Sequence, residues 1–147
     1  MSEKKLLSPD VQLPDSRYEA VVDFDLMVSD KSPNPIREKS FAFAITVIRL
    51  YKRLQAAREY VVSNQLLKSG TSIGANVEEA MAASNRRDFL HKMSISSKEA
   101  RESVYWLRLL DESDIAPDID VHTELEDAQE LVRLLTSIVK TTKESTR

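Results

Sequence analysis

The sequence predicts an all-α protein, an antiparallel up-down-up-down four-helix bundle. Only two glycines occur in 147 residues, too few for a β-rich or loop-rich chain of this size. Apolar side chains recur every three or four residues through most of the second half. Helix punctuation stands at Asn34-Pro35, in "SNRRDF" and at Pro117. The length fits one domain, with residues 1–34 as an N-terminal arm and 35–147 as the bundle.

The arm, with its Pro, Asp and Ser residues, has one apolar stretch, "YEAVVDFDLMVS", which suits a strand or a short docking helix and carries no assigned role. Asn34 followed by Pro35 is a cap with proline at the first helical position, and opens a first helix over about 35–56. Its segment "FAFAITVI" sorts its large side chains into two opposed stripes: Phe41, Ile45 and Ile48 on one side, Phe43, Val47, Leu50 and Leu54 on the other. A bundle needs one stripe per helix, so the other requires cover from the arm or from another copy of the chain. The expectation is self-association, with Phe43, Val47, Leu50 and Leu54 at the subunit contact.

The second helix is expected from about Arg58 to Ser84 and holds both glycines. At 100° per residue Ser63, Leu66, Leu67, Gly70, Ile73, Gly74, Val77 and Met81 share one face, so Gly70 and Gly74 face the core. Each costs about 1 kcal/mol of helix propensity, which a close helix–helix approach would offset. A break at Lys68-Ser69-Gly70 is the alternative. "GTSIG" is no phosphate loop, lacking the Gly-Lys-Ser/Thr and any preceding strand.

The third helix, to about Ser113, presents Phe89, Met93, Ser96, Ala100, Ser103, Leu107 and Leu110 as a narrow stripe whose small centre suits the glycine face. A second stripe carries Ile95, Glu99, Glu102, Trp106 and Leu109; Ile95, Trp106 and Leu109 are assigned to the oligomer interface, and Lys98 is spaced to pair with Glu102. Pro117 is expected to start the fourth helix, which runs to about Lys143.

The chain has no cysteine, which removes disulfides, thiolate metal sites and cysteine nucleophiles. Asp88-Phe-Leu-His91 is the nearest approach to a carboxylate-bundle metal motif and has no second copy; His122 has no ligand spacing. No G-x-S-x-G elbow is present. No catalytic residue, metal or cofactor is therefore expected, and no enzyme activity. No apolar run reaches about 18 residues, so a cytoplasmic location with no membrane partner is expected.

The stretch "QLLKSGTSIGANVEEAMAASNRRDFLHKMSISSKEARESVYWLRLL", residues 65–110, resembles the bacterial 23S rRNA intervening-sequence family, through its S-x-T/S-S-I-x-A-N segment, its D-F and its K-E-A-x-E-x-x-Y-W-L-R-L-L. That family is similar to the accessory variability determinant of diversity-generating retroelements. The resemblance implies a homopentameric ring or barrel, with RNA or DNA and a reverse transcriptase or ribosomal RNA as partners.

Net charge is −3 over the whole chain, with a basic middle between acidic flanks. In an antiparallel bundle one end would collect Arg37, Lys39, Arg86, Arg87, Lys92, Lys140 and Lys143. These are the expected nucleic-acid-binding residues, forming a basic rim that grips phosphates without reading bases. The alternative is a protein-interaction scaffold that binds no nucleic acid.

Overall fold

The computed structural model of the chain describes residues 24–29 and 33–145. They form five helices and, among the described residues, no strand: α1 (Phe24–Val28), α2 (Pro35–Ala56), α3 (Val61–Met81), α4 (Arg86–Glu112) and α5 (His122–Ser145). The four long helices enclose one core, with α2 and α4 each packed against both α3 and α5. The reading of a docking helix in the arm falls partly on α1; residues 1–23 and Arg147 lie outside the described residues. No helix of the described residues is long and apolar enough to cross a membrane.

Each long helix begins where a side chain or carbonyl takes up its free N–H groups. Asn34 Oδ1 accepts from Arg37 N at 3.2 Å ahead of Pro35, and Asn85 Oδ1 accepts from Asp88 N at 2.8 Å. The start of α3 is built differently. Tyr60 caps nothing with its side chain; instead the buried Glu59 carboxylate accepts from the backbone N–H groups of Val61, Val62 and Ser63 at 3.1, 2.9 and 2.6 Å. Three charge-assisted bonds at the positive end of a helix keep that carboxylate satisfied although it is buried.

The fourth helix corrects the expectation at Pro117. That proline lies in a turn closed by Ile119 N donating to Ala116 O at 3.1 Å, and α5 starts at His122, whose N–H is taken by Asp120 Oδ1 at 2.9 Å. Proline fixes φ in a turn as readily as in a first helical position.

Helix α2 reverses the assignment of its two stripes. Phe43, Val47, Leu50 and Leu54 are at most 2% exposed and belong to the core, together with Ile36. Phe41, Ile45 and Ile48 are the open ones, at 65, 36 and 41%. The buried stripe runs the whole helix from Ile36 to Leu54, whereas the open one spans only Phe41 to Ile48. Burying a large apolar side chain is worth roughly 1.5–3 kcal/mol, so the longer stripe takes the core. The cover comes from the neighbouring long helices.

Both glycines lie in an unbroken α3 and let α2 approach closely. A Cβ on Gly70 would stand 2.8 Å from Val47 Cγ2, and one on Gly74 would stand 3.3 Å from the Ser40 carbonyl oxygen. The close neighbour is thus α2, where α4 was expected. The small residues of α4 meet α3 along an adjacent line: Ser96 Oγ donates to Ile73 O at 2.9 Å, and Ser103 Oγ to Ser69 Oγ at 2.9 Å.

Val47 is stiff at χ1 and its Cβ is itself 3.2 Å from the position of a Gly70 methyl group, so it has nowhere to swing. Gly70→Ala should therefore lower unfolding free energy by about 1–3 kcal/mol in a urea titration, despite alanine's better helix propensity. Adding Val47→Ala should recover part of that loss, because the new methyl group fills the space the valine leaves.

Candidate nucleic-acid interface

Four of the cations expected at the basic rim meet carboxylates. Arg37 Nε lies 2.7 Å from Glu78, Lys39 Nζ 2.8 Å from Glu130, Lys92 Nζ 2.7 Å from Glu79, and Arg86 Nη2 3.4 Å from Asp25. The hydrogen bond it donates to Glu79, and the charge of that carboxylate, hold the Lys92 ammonium above the ordinary lysine range. Carboxylates from the end of α3, from α1 and from α5 thus answer four of the seven predicted cations. A count of charge along the chain could not place Glu78 and Glu79 beside Arg37 and Lys92. The predicted cationic excess at that end is corrected accordingly.

The same end is closed by α1. The Phe24 ring meets Phe89 edge-on at 4.9 Å and 72°, the Arg86 guanidinium lies 5.4 Å over Phe24, and Met27 is buried. Arg86 also donates to Ser145 Oγ, and Asn34 Nδ2 donates to Met27 O at 3.2 Å. Arg86 is therefore engaged on several sides.

A different cationic surface emerges on the outer side of α4 and α5. Arg87, Lys98 and Arg101 lie along the outward face of α4 at i, i+11 and i+14, and Arg133 and Lys140 recur at i and i+7 on α5. Arg101 Nη2 donates to Thr136 Oγ1 at 3.1 Å, which ties the two rows side by side. All five cations are exposed or nearly so, and none makes an ion pair among the described residues. Arg87 and Lys140 were expected at the rim; Lys98, Arg101 and Arg133 were missed. Their helical spacing was the available signal, hidden because they lie in separate helices. Lys98 makes no pair with Glu102, whose carboxylate accepts from Trp106 Nε1 at 3.1 Å.

The opposite end of the bundle is acidic. His122 Nδ1 is 2.6 Å from Asp120 and Nε2 is 3.4 Å from Asp111, beside a cleft of about 270 Å³ that Asp114 and Asp118 also line. The Asp120 hydrogen bond, with Asp111 behind it, raises the His122 pKa above 6.5. Bonds from the His122 backbone and ring lower that of Asp120. A second cleft of about 180 Å³, between α2 and α5, is lined by Lys39, Asp127 and Glu130; burial and the nearby Glu130 and Glu124 push the Asp127 carboxyl up. Among the described residues no group of three or more His, Asp or Glu is arranged to hold a metal ion.

These features define a small helical bundle whose distinctive groups lie on outer faces. The chain belongs to the 23S rRNA-intervening sequence protein family, whose model matches residues 34–137. It is similar to the crystal structure of a protein of unknown function from the S23 ribosomal protein family of Bacteroides thetaiotaomicron VPI-5482, with 42% identity and a TM-score of 0.67 over 71% of this chain and 95% of that one. No curated protein matches the chain.

His122 should titrate above about 6.5, and Asp120→Asn should bring it back toward that value, as followed by its ring proton resonances in NMR. Because the folded value is raised, the clasp stabilises the fold fully below the unfolded pKa and loses that contribution as pH rises through the folded one.

Proposed function

We propose that the protein is a non-enzymatic accessory protein, a bundle of alternately up and down helices that associates with its own copies and holds the phosphate backbone of a nucleic acid. The observation that carries this reading is the paired row Lys98, Arg101, Arg133 and Lys140, with Arg87. These cations have no carboxylate partner among the described residues, and they gather on one outer face of the bundle. Unpaired Lys and Arg on a convex helical face bind polyanions by releasing counterions and carry no base readout.

The family's name ties it to an intervening sequence of 23S rRNA, which makes RNA the first ligand to test. Ribosomal RNA, or a template handed to a reverse transcriptase, fits such backbone binding. Self-association is supported by the open Phe41, Ile45 and Ile48 stripe, and a homopentameric ring is the form that the family resemblance suggests. A ring would repeat the cationic face around its circumference, so that weak single contacts add.

The test is binding of single-stranded and duplex RNA and DNA as salt is varied. Affinity should fall steeply with salt, and reversing Lys98, Arg101, Arg133 and Lys140 to Glu should flatten the logarithmic slope by about 3–4, whereas Lys68→Glu on α3 should change it little. Undetectable binding at low salt would overturn the reading in favour of a protein-interaction scaffold.

A further inference from the structure

The exposed cations of α4 and α5 stand around an aromatic ring that phosphate binding alone leaves unused. At 100° per residue Lys98, Arg101 and Tyr105 lie within about 60° of one another, on the side of α4 turned away from its buried stripe. Tyr105 follows Arg101 by one turn and is 56% exposed, while α5 contributes no Phe, Tyr or Trp. The contacts Arg86–Ser145, Arg101–Thr136 and Asp111–His122 run in opposite order along the two helices, which brings Arg133 level with the stretch from Lys98 to Tyr105.

The ring is steadied by its neighbour. Tyr105 meets the Trp106 ring edge-on at 5.0 Å and 68°, and Trp106 Nε1 donates to Glu102 Oε1 at 3.1 Å. An edge-on contact takes up at most one flat side of the tyrosine, so a planar partner can lie on the other. With the indole pinned, the tyrosine has little rotational freedom to lose on contact.

We propose that Tyr105 is a stacking platform for an unpaired base, and that the nucleic acid held on this face is single-stranded. The inference rests on the phosphate-binding reading above and narrows its ligand. Cations alone accept duplex and single strand alike, because they meet only phosphate. In a duplex each base is paired and covered above and below by its neighbours, whereas a single strand can turn a base out onto an aromatic side chain. Stacking needs a π-face and no particular base, so the preference is for strandedness and not for sequence.

The spacing suits such a strand. Lys98 and Tyr105 are two turns apart, about 10 Å along α4, which corresponds to about three nucleotides of a stacked strand. Arg101 lies between them. Its bond to Thr136 uses one N–H donor and leaves the rest of the guanidinium for the phosphate beside the stacked base.

The experiment compares full-length wild type, Tyr105→Ala and Tyr105→Phe in binding a mixed-sequence single strand, an abasic strand of the same length and a long duplex. Circular dichroism and analytical ultracentrifugation check helix content and size; Tyr105→Gln, which keeps bulk without a ring, replaces the alanine variant if helix content falls. Tyr105→Ala should weaken binding of the base-bearing single strand about 5–100-fold. It should leave the abasic strand, the duplex and the salt slope unchanged, since the lost contact carries no charge. Tyr105→Phe should behave as wild type. The emission of Trp106, the chain's single tryptophan, should be quenched more by the base-bearing strand than by the abasic one.

Absence of wild-type binding to every probe at low salt would overturn the phosphate-binding reading and this inference with it. Salt-dependent wild-type binding that Tyr105→Ala leaves intact, or weakens equally for single strand and duplex, would overturn the stacking platform alone. Equal quenching of Trp106 by the two single strands would do the same, and so would a change of oligomeric size in Tyr105→Ala, which would make the ring part of a protein contact.

Discussion

The close approach of α2 and α3 is the constraint on which the rest of the structure depends. Two positions without side chains let the Val47 methyl groups and the Ser40 backbone sit directly against α3. This contact fixes the rotation of α2, and the rotation decides which of its two apolar stripes is inside. With Val47 turned toward Gly70, the residues from Ile36 to Leu54 on that side enter the core, and Phe41, Ile45 and Ile48 are turned out. The bonds from Ser96 to Ile73 and from Ser103 to Ser69 then hold α4 in register against the adjacent line of α3. Sliding by one turn would leave the buried Ser96 hydroxyl without its partner, a cost of the order of 1–3 kcal/mol, while Ser103 would keep its bond to the Glu99 carbonyl within α4.

The helices themselves were largely legible. Asn34-Pro35 and Asn85 announce two of the starts, because a short polar side chain ahead of a helix has a specific geometric task. The start of α3 was less visible, since its capping carboxylate comes from Glu59 within the connection and Arg58 beside it takes a left-handed backbone, φ 64°. With both glycines committed to the α2 contact, that turn had to be made by an ordinary residue. Pro117 misled because it marks a turn and a helix start alike. The orientation of α2 was illegible for a deeper reason: a helix that is greasy on two sides has no inside in its own sequence. Only the greater length of one stripe, and the glycines on a different helix, carry that information.

Surface electrostatics depended still more on assembly. Glu78, Glu79 and Asp25 are remote in sequence from the cations they neutralise, so the end that reads as basic along the chain is mixed in space. Conversely, Arg101 and Arg133 have no obvious kinship until the Arg101–Thr136 bond sets α4 beside α5. The unmatched charges that remain occupy distinct outer faces of one bundle.

The docking of α1 has a consequence for the order in which the molecule is completed. Asp25 leaves the ribosome 61 residues ahead of Arg86, and Phe89 follows later still. At about 5–20 residues per second, the hydrophobic turn of α1 waits several seconds for the surface that receives it. Among the described helices α1 is synthesised first and is thus among the last to find its seat, and the nascent chain carries Phe24 and Met27 uncovered throughout that interval. A holding factor acting during translation would meet an apolar target there.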